Sequence, residues 1–418
     1  MVQKSQNVDT MRNFNRASVM ALVLDCPGID RSRLAEETGL TNATMTRIVQ
    51  ELISSGLMRE TVSLQVNQGP GRRRTGLQIN AKGGYVLGLS ILAYNTSVAL
   101  TDISGTTIGS VSVKPSDLSD AGRTLDEICV AAEKLIAYHG INRKQVLAAG
   151  LAIAGYLDAE GGTWLHSPYL RWPPFDVRKS LGKRLNLPVS AENVNRCIAV
   201  AETRIGCCLG MKDVFLVRAS LGLGAASISN GKVLRGHNNT AGQIGHFPEG
   251  LSGTMCSCGK TDCITMAASG WAILDRLGLR DVGGEGLLLV EDEGAKLLAT
   301  LNKARSDEKT ATVVRQAGAA LGQHCVAMLR VLDPERIVLT GPLGRSAIYG
   351  RAFREALVNN GVTAEIVTAH DKSISPPAMA ASALSLADDI YSSRFDVQKM
   401  LVRNTVDARA LANKKLVL

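Results

Sequence analysis

The run Gly242-Gln-Ile-Gly-His246, followed by Cys256-Ser-Cys258-Gly-Lys-Thr-Asp-Cys263, is the most informative stretch of this 418-residue sequence. It places one histidine and three cysteines close together, with glycines that permit tight turns. Three thiolates and one imidazole form a closed tetrahedral ligand set typical of structural Zn²⁺. We therefore predict one structural zinc ion per chain, bound by His246, Cys256, Cys258 and Cys263. Buried thiols beside a surface histidine are the alternative.

The composition is that of a globular protein. It contains 45% hydrophobic and 20% charged residues, with a formal net charge of +9. A chain of this length is expected to fold as two or three domains. Residues 1–16 lack the apolar segment of a signal peptide, and no long apolar run follows, so we expect a cytoplasmic protein without a membrane anchor. Nine cysteines, an odd number, favour reduced thiols over a disulfide framework.

Residues 18–52 have the pattern of a helix-turn-helix. An apolar helical stretch ends at Pro27-Gly28, and Asp30 is suited to cap the next helix. Small Ala35 permits a close helix contact, and Gly39 supplies the turn. The second helix of such a motif lies in the major groove, where its exposed side chains contact bases and phosphates. The predicted DNA contacts from this helix are Thr41, Asn42, Ala43, Thr44, Thr46 and Arg47.

A basic hairpin is predicted after the second helix. Residues 58–66 favour a strand, and Gly69-Pro70-Gly71 leads into Arg72, Arg73 and Arg74. An arginine triplet on such a tip suits contact with phosphates or the minor groove. The whole segment therefore predicts a winged helix-turn-helix that binds double-stranded DNA. An ordinary helical pair with a solvated charge run is the alternative.

The rest of the chain alternates strand and helix patterns, which indicates an α/β body. Strands are predicted at residues 85–93, 96–102, 107–113, 146–155, 214–219, 224–229 and 336–341. Helices are predicted at residues 125–139, 194–205, 267–277, 310–332 and 376–391. Each half begins with a strand meander and ends with a helix, so we expect two duplicated lobes with a ligand cleft between them.

The segment 242–263 resembles the signature of the ROK family, which comprises repressors, open reading frames and kinases. Further matches over about residues 80–390 are Gly150-Leu-Ala-Ile-Ala-Gly155-Tyr-Leu-Asp158, Ser167-Pro168, Trp172, Leu187-Pro188-Val189, Glu192-Asn193-Val194-Asn195, Gly222-Leu-Gly224, Gly231-Lys232 and Leu339-Thr-Gly341. The resemblance implies a two-lobed, actin-like ATPase fold of the sugar-kinase type, whose cleft binds a sugar or sugar phosphate. A winged helix ahead of that fold is the arrangement of the family's transcriptional repressors.

The sequence departs from the family's kinases at the catalytic positions. Those kinases carry Asp-x-Gly-x-Thr on the first strand, where this chain has Ser90-Ile-Leu92-Ala-Tyr94. They also carry an aspartate base in Glu-Asn-Asp, where this chain has Glu192-Asn193-Val194. Valine cannot accept the proton of a sugar hydroxyl, so we predict that the chain is not an enzyme.

Two further carboxylates that contact sugar hydroxyls in the family are replaced by Gln243 and Thr265. Each lost charge-assisted hydrogen bond removes about 1.5–3 kcal/mol, so an ordinary neutral hexose is not expected to bind tightly. The resemblance implies effector contacts from Asn193, Gln243, His246 and Thr265, to a modified, phosphorylated or unusual sugar. A vestigial pocket or a protein effector is the alternative.

The predicted function is a transcriptional regulator, and specifically a repressor of carbohydrate-related genes. A homodimer or homotetramer would place two recognition helices on an inverted-repeat operator. The alternatives are a ROK sugar kinase and a regulator controlled by a protein partner. The predicted segments are the winged helix at 1–78, an N-terminal lobe at 79–195, a C-terminal lobe with the zinc site at 196–390, and a tail at 391–418. The tail either packs on another part of the protein or is loosely ordered.

Overall fold

The computed structural model describes residues 8–63, 75–92, 95–167, 170, 172–248, 253, 255–256, 258–280 and 290–397. The predicted wing arginines Arg72, Arg73 and Arg74 lie outside these ranges, as do residues 398–418 of the predicted tail. None of the helices in the described ranges is long and apolar enough to span a membrane.

Residues 8–79 contribute three helices and a three-stranded sheet. The elements are α1 (Val8–Asp25), β1 (Ile29–Asp30), α2 (Arg31–Thr38), α3 (Asn42–Ser54), β2 (Met58–Val62) and β3 (Thr75–Ile79). The sheet has the order β1-β3-β2, and both pairings are antiparallel. A helix pair followed by an antiparallel hairpin is the element order of a winged helix-turn-helix.

Local signals set the ends of α2 and α3. The Asp30 side chain accepts a hydrogen bond from the Arg33 backbone N–H at 3.0 Å, which caps the start of α2. Gly39 ends α2 with a φ of 68°, in the left-handed region that favours glycine. The predicted cap and the predicted turn residue are therefore both where the sequence placed them.

The first α/β lobe follows. Its elements are β4 (Tyr85–Ile91), β5 (Thr96–Asp102), β6 (Thr107–Val113), α4 (Ala121–Tyr138), β7 (Val146–Ile153), β8 (Tyr156–Leu157), β9 (Thr163–His166), β10 (Phe175–Asp176), α5 (Val177–Leu185), β11 (Val189–Asn193) and α6 (Val194–Arg204). β8, β9 and β10 form a small separate sheet.

The second lobe has the same kinds of element. They are β12 (Val214–Ala219), β13 (Leu223–Ser229), β14 (Lys232–Val233), α7 (Thr265–Ala268), α8 (Gly270–Arg276), α9 (Val290–Lys303), α10 (Glu308–Leu332), β15 (Arg336–Thr340), α11 (Gly341–Gly344), α12 (Ala347–Asn359) and β16 (Glu365–Thr368). After this lobe the chain forms α13 (Pro377–Ser385). A π-helical turn, Leu386–Ile390, continues α13.

The two five-stranded sheets repeat one topology. Their orders are β11-β7-β4-β5-β6 and β14-β13-β12-β15-β16. In each, three consecutive strands form an antiparallel meander, the fourth pairs parallel with the first, and the fifth pairs parallel with the fourth. The predicted two-lobed α/β fold is therefore confirmed.

The lobes are not divided where the sequence predicted. The predicted boundary between residues 195 and 196 falls inside α6, and α13, assigned to the 196–390 lobe, packs on the first sheet against β4 and β7. Gly88 and Gly150 are neighbours on those strands. A Cβ atom at either glycine would lie 1.9 Å from a carbonyl oxygen of α13. These two glycines allow the backbone of α13 to pack closely against β4 and β7. With α13 the chain has therefore returned to the first lobe.

One buried carboxylate joins the two connections between the lobes. The chain crosses at residues 205–213, after α6, and again at residues 369–376, before α13. Glu202 accepts hydrogen bonds from the backbone N–H groups of Cys207, at 2.9 Å, and Ser375, at 2.8 Å. Its side chain is fully buried. Glu202 therefore links the two segments that cross between the lobes.

The N-terminal helices share a hydrophobic core with the first lobe. Val19 and Val23 of α1 belong to the same buried cluster as Val86 of β4 and Ile390 of the π-helical turn. The Tyr391 hydroxyl also donates a hydrogen bond to the Ile103 carbonyl. Residues 386–397 thus connect α13 to the N-terminal helices, and the described start of the predicted tail packs against them.

Asp389 in the π-helical turn should make stability depend on pH. It is 7% exposed, and its carboxylate accepts hydrogen bonds from Ser190 and Ser385. Burial raises the pKa of Asp389 to about 6. An acid whose pKa is raised on folding destabilises the folded state as pH rises from the unfolded to the folded pKa. We expect Asp389→Asn to increase the free energy of unfolding at pH 7.5 by about 2–3 kcal/mol.

Thermal unfolding of wild type and Asp389→Asn between pH 4 and pH 7.5 measures this effect. The variant should lose the part of the pH dependence that Asp389 causes, while exposed Asp275→Asn on α8 should retain it. Identical pH profiles for wild type and Asp389→Asn would contradict the expectation.

Candidate functional site

Helix α3 presents a polar face to solvent. Asn42, Ala43, Thr46 and Arg47 are exposed, as predicted for DNA-contacting residues, whereas Thr44 is half-buried. Buried Met45, Ile48, Val49 and Leu52 form the opposite face of the helix. The sequence prediction missed Gln50, which is exposed one turn after Thr46. Extending the same helical spacing by one turn would have identified it.

The threonines of α3 make hydrogen bonds within the helix. The Thr41 hydroxyl oxygen accepts from the Thr44 backbone N–H at 3.3 Å and so caps the helix. The Thr46 hydroxyl donates to the Asn42 carbonyl at 2.8 Å. Among the predicted DNA contacts, Asn42 and Arg47 are exposed side chains outside these threonine hydrogen bonds.

Ion pairs from α1 fix the orientation of α3. Arg16, which is 2% exposed, donates from Nε to the Glu51 carboxylate at 2.8 Å, and Arg12 also pairs with Glu51. Burial opposes ionisation of Glu51, but hydrogen bonds from Arg16 and Arg12 hold its pKa below the usual value. Helix α3, held by two arginines, therefore presents its polar face in one defined direction.

The strands around the predicted wing pair in register. β2 and β3 run antiparallel from Met58 opposite Ile79 to Val62 opposite Thr75. This pairing supports a hairpin next to α3. The wing arginines themselves lie outside the described residues.

The four predicted metal ligands lie together. Cys258 Sγ is 3.5 Å from Cys263 Sγ, and Cys256 Sγ is 3.6 Å from His246 Nδ1. All four ligand atoms lie within 4.8 Å of one another. Sulfur ligands about 2.3 Å from a tetrahedral ion are about 3.7 Å apart, so this arrangement can hold one metal ion.

Backbone hydrogen bonds shape the chain around these ligands. The Cys256 N–H donates to the Lys260 carbonyl at 2.8 Å, and the Gly259 N–H donates to the Cys256 carbonyl at 2.9 Å. Gly259 has a φ of 83°, which explains why a glycine is needed in this turn. Burial and the neighbouring cysteines raise the pKa of Cys263 to about 12. A bound cation would reverse this effect by stabilising the thiolate.

A cavity that is open to solvent lies between the lobes, beside the metal ligands, and the space in it together with the adjoining solvent is about 880 Å³. Its described lining comes from the ends of β7, β11 and β12, the start of α6, the β12–β13 turn and residues 239–246. Leu92 and Val194, the two positions where the sequence is predicted to depart from the kinases, both line it and are buried. Asp and Glu do not occur among its described lining residues.

Three of the four predicted effector residues line this cavity, namely Asn193, Gln243 and His246. The Asn193 side chain also accepts from the Asn195 N–H and donates to the Gly155 carbonyl, each at 2.9 Å. The Nδ1 atom of His246 faces Cys256, so the second ring nitrogen, Nε2, points away from that cysteine.

The fourth predicted effector residue, Thr265, does not line the cavity among the described residues. Its hydroxyl donates to the Gly245 carbonyl at 2.6 Å, and the residue is 3% exposed and outside the described lining. Replacement of a carboxylate by this shorter side chain allows it to bond the neighbouring backbone instead.

Arg218 and Asn239 line the cavity and were missed by the sequence prediction. Arg218 interrupts the apolar run of β12, Val214-Phe-Leu-Val-Arg-Ala219, and an arginine there is a signal that could have been used. Asn239 lies in a loop with a φ of 57°, and no sequence pattern marks it.

Comparisons with known proteins agree with this architecture. A model of the ROK family matches residues 87–387. The chain is 26% identical over 341 residues to the DNA-binding transcriptional dual regulator NagC of Escherichia coli (strain K12), covering 81% of this chain and 82% of that protein. It is 24% identical over 355 residues to the xylose repressor of Caldicellulosiruptor bescii, covering 84% and 88%.

Solved structures share the fold. A ROK family transcriptional regulator, a homologue of the E. coli MLC protein, has a TM-score of 0.77 at 23% identity and covers 94% of this chain and 100% of that chain. A ROK family glucokinase from Streptomyces griseus, in complex with glucose and AMPPNP, has a TM-score of 0.60 at 22% identity and covers 72% of this chain and 99% of that chain. The regulator therefore matches a larger part of this chain than the kinase does.

Proposed function

Since this chain belongs to the ROK family, we propose that it is a DNA-binding transcriptional regulator that represses carbohydrate-related genes. The observation that carries this proposal is the exposed polar face of α3. Arg12 and Arg16 pair with Glu51 of that helix and hold it in one orientation, so the polar face is fixed for contact with DNA. The two regulators among its curated relatives support the same function.

The chain acts on DNA as a homodimer or homotetramer in this proposal. Two copies related by two-fold symmetry place two α3 helices on the half-sites of an inverted repeat, one helical turn or a multiple of it apart. Linking two half-site contacts raises the overall affinity through effective concentration.

We propose that the chain is not a sugar kinase. Val194 stands at the position of the kinase base and cannot accept a proton. Among the described lining residues the cavity offers histidine but no carboxylate for that step. Leu92, 3% exposed, stands where the kinases have a small residue in their phosphate loop.

We propose that the ion held by His246, Cys256, Cys258 and Cys263 is one structural Zn²⁺. The donor set and spacing suit zinc, and four protein ligands leave no open position for hydrolytic chemistry. The ion would fix His246 at the cavity wall and hold residues 255–263 against the start of α7.

The cavity binds a carbohydrate effector in this proposal. Binding that favours one relative position of the lobes would change the spacing of the two α3 helices. Residues 386–397 provide the physical connection, since they pack between α13 and the N-terminal helices.

Selection of genomic DNA fragments by the purified full chain tests the regulatory function. Enrichment of one inverted repeat is the expected result, and the neighbouring genes would identify the regulated pathway. Recovery of no preferred sequence by zinc-loaded, folded protein would contradict the proposal.

Replacing Arg47 should reduce operator recognition more than general DNA binding. Arginine reads guanine by two hydrogen bonds, and a lost base contact costs about 1–3 kcal/mol. We therefore expect Arg47→Ala to weaken binding to the selected operator by roughly 10- to 100-fold. Fluorescence anisotropy with the operator and a scrambled duplex measures both affinities.

Two comparison variants make this test specific. Exposed Arg330→Ala on α10 removes a similar charge far from α3 and should leave both affinities unchanged. Neutralising Arg72, Arg73 and Arg74 should weaken both duplexes and reduce the salt dependence, as expected for phosphate contacts. Equal losses on both duplexes for Arg47→Ala would show that Arg47 does not read bases.

A further inference from the structure

Two adjacent cysteines lie in the turn that carries the chain from the first lobe to the second. Cys207 Sγ is 3.8 Å from Cys208 Sγ. Cys208 is buried, whereas Cys207 is half-buried. The flanking residues Ile205 and Leu209 are 52% and 68% exposed. Solvent therefore reaches this turn, and a small solute can approach the cysteine pair.

The surroundings of the pair favour a thiolate on Cys208. The hydrogen bond with Cys207 lowers the pKa of Cys208, and the positive charge of Arg336 lowers it further, although burial opposes both effects. The Arg336 guanidinium also donates to the Cys207 carbonyl, which keeps this charge at the turn. By contrast, burial raises the pKa of Cys129 to about 11. The thiolate is the form of cysteine that reacts with oxidants, so Cys208 is the more reactive of these two buried thiols.

The backbone of the pair takes part in the link between the two lobe crossings. The Cys207 N–H donates to the Glu202 carboxylate, which also accepts from the Ser375 N–H in the second crossing. The Cys208 N–H donates to the Glu202 backbone carbonyl at 2.9 Å. A change in the backbone at these two cysteines therefore reaches both segments that cross between the lobes.

A disulfide between adjacent residues requires such a change in the backbone. Consecutive Cα atoms are about 3.8 Å apart, whereas the Cα atoms of disulfide-bonded cysteines are usually about 4.4–6.8 Å apart. The two sulfur atoms, now 3.8 Å apart, would also have to approach to about 2.05 Å. A disulfide strained in this way is readily reduced again, as is typical of regulatory disulfides.

We propose that Cys207 and Cys208 are a redox-sensitive modification site, at which hydrogen peroxide forms a reversible disulfide that disturbs the hydrogen bonds of Glu202. The site lies outside both the effector cavity and the DNA-binding helix, so the inference goes beyond the proposed function.

The reaction has two steps. The Cys208 thiolate attacks one oxygen of peroxide, the O–O bond breaks, and the leaving hydroxide takes up a proton to give water. The Cys207 sulfur then attacks the sulfenic acid on Cys208, the S–O bond breaks, and the sulfenic oxygen leaves as water with the proton of Cys207. Two thiols are thereby oxidised to one disulfide, and peroxide is reduced to two molecules of water. A small dithiol such as dithiothreitol reverses the oxidation by thiol–disulfide exchange.

Peptide mass spectrometry of the peroxide-treated, zinc-loaded full chain tests the modification. Cleavage after lysine and arginine releases residues 205–212 and residues 17–31 as separate peptides, so exposed Cys26 serves as an internal comparison. The peptide 205–212 should lose two hydrogen atoms and resist alkylation at peroxide concentrations about tenfold lower than those that modify Cys26. Dithiothreitol should restore alkylation of both cysteines. Zinc content is measured at each dose to show that the metal site is intact.

Single substitutions separate the roles of the two cysteines. In Cys207→Ser, the serine hydroxyl can still donate to Cys208 but cannot form the disulfide. Peroxide followed by dimedone, which labels sulfenic acids, should therefore modify Cys208 in this variant. In Cys208→Ser, neither a disulfide nor dimedone labelling of Cys207 is expected at the same dose. Thermal unfolding and zinc content confirm that both variants are folded.

Thermal unfolding also shows whether the disulfide disturbs the Glu202 hydrogen bonds. A disulfide between neighbours closes a very short loop and so restricts the unfolded chain little. Oxidised wild type should therefore melt at a lower temperature than reduced wild type. Dithiothreitol should reverse the shift, and peroxide-treated Cys208→Ser should not show it.

Three results would overturn the inference. They are full alkylation of residues 205–212 at doses that modify Cys26, a disulfide from either cysteine to a third one, and an oxidised pair with the melting temperature of the reduced protein. None of these readouts involves DNA. Failure of this inference is therefore distinguishable from failure of the proposed regulatory function, which the selection of DNA fragments tests.

Discussion

Cys263→Ser should abolish binding of the proposed zinc ion and remove much of the stability of the second lobe. Cys263 is 1% exposed, and its Sγ lies 3.5 Å from that of Cys258. Serine is a poor zinc ligand, and His246, Cys256 and Cys258 alone would no longer complete the set of four ligands. Loss of a structural metal belongs to the most destabilising changes, so we expect a cost of about 4 kcal/mol or more.

Metal analysis and thermal unfolding measure the two parts of this prediction. Wild type should contain about one zinc per chain, and Cys263→Ser should contain almost none. Cys26→Ser removes an exposed thiol far along the chain from the cluster and should change neither value. A metal-free wild-type preparation that unfolds at the temperature of the zinc-loaded protein would show that the four residues have no structural metal role.

The metal ligands and the helix-turn-helix could be predicted because their determinants are local in sequence. His246 and the three cysteines lie in one short segment, so a turn or two brings their ligand atoms together. Asp30 and Gly39 act on backbone groups only a few residues away. The residue pattern that predicts a strand is also local in sequence. The predicted strands at 107–113 and 214–219 have the bounds that the structure shows.

The features that the sequence did not reveal depend on distant contacts. Thr265, a predicted effector contact, donates its hydroxyl hydrogen bond to the Gly245 carbonyl, which lies 20 residues earlier. The side chain of Asn239 is held at the cavity by hydrogen bonds to the carbonyls of Leu157 and Asp158, about 80 residues away in the other lobe. Such partners follow from the packing of the lobes, which composition and periodicity do not specify.

The return of α13 to the first lobe is the largest such difference. Its apolar sequence predicted a helix, and a helix is present, but the glycines that receive it lie more than 200 residues earlier. A glycine within a strand signals a close approach by another backbone without identifying that backbone.

Gly150→Ala should therefore destabilise the protein by disturbing the packing of α13 against β7. The new Cβ atom would lie 1.9 Å from the Ala381 carbonyl oxygen, far inside contact distance. The obstacle is backbone, so a rotamer change of one side chain cannot relieve the clash. We expect the free energy of unfolding to fall by about 3 kcal/mol or more, as for severe overpacking of a core.

Gly122→Ala provides the matched control for this substitution. Gly122 lies in the first turn of α4, and the one atom near a Cβ there is the Oδ1 of the capping residue Asp120, at 3.3 Å, with no backbone atom in the way. Alanine is favoured over glycine in helices, so this variant should be unchanged or more stable by up to about 1 kcal/mol. Thermal unfolding compares the two variants, and an unchanged Gly150→Ala would mean that α13 does not pack as described.

The consequence of Gly150→Ala should extend to DNA binding, although residue 150 lies far along the chain from α3. The helix it displaces, α13, continues into residues 386–397, whose side chains share a buried cluster with Val19 and Val23 of α1. Helix α1 in turn holds α3 through the Glu51 ion pairs. In folded Gly150→Ala we expect operator affinity to fall, while Gly122→Ala retains it. Wild-type affinity in a destabilised Gly150→Ala would show that this connection stabilises the fold without controlling the recognition helix.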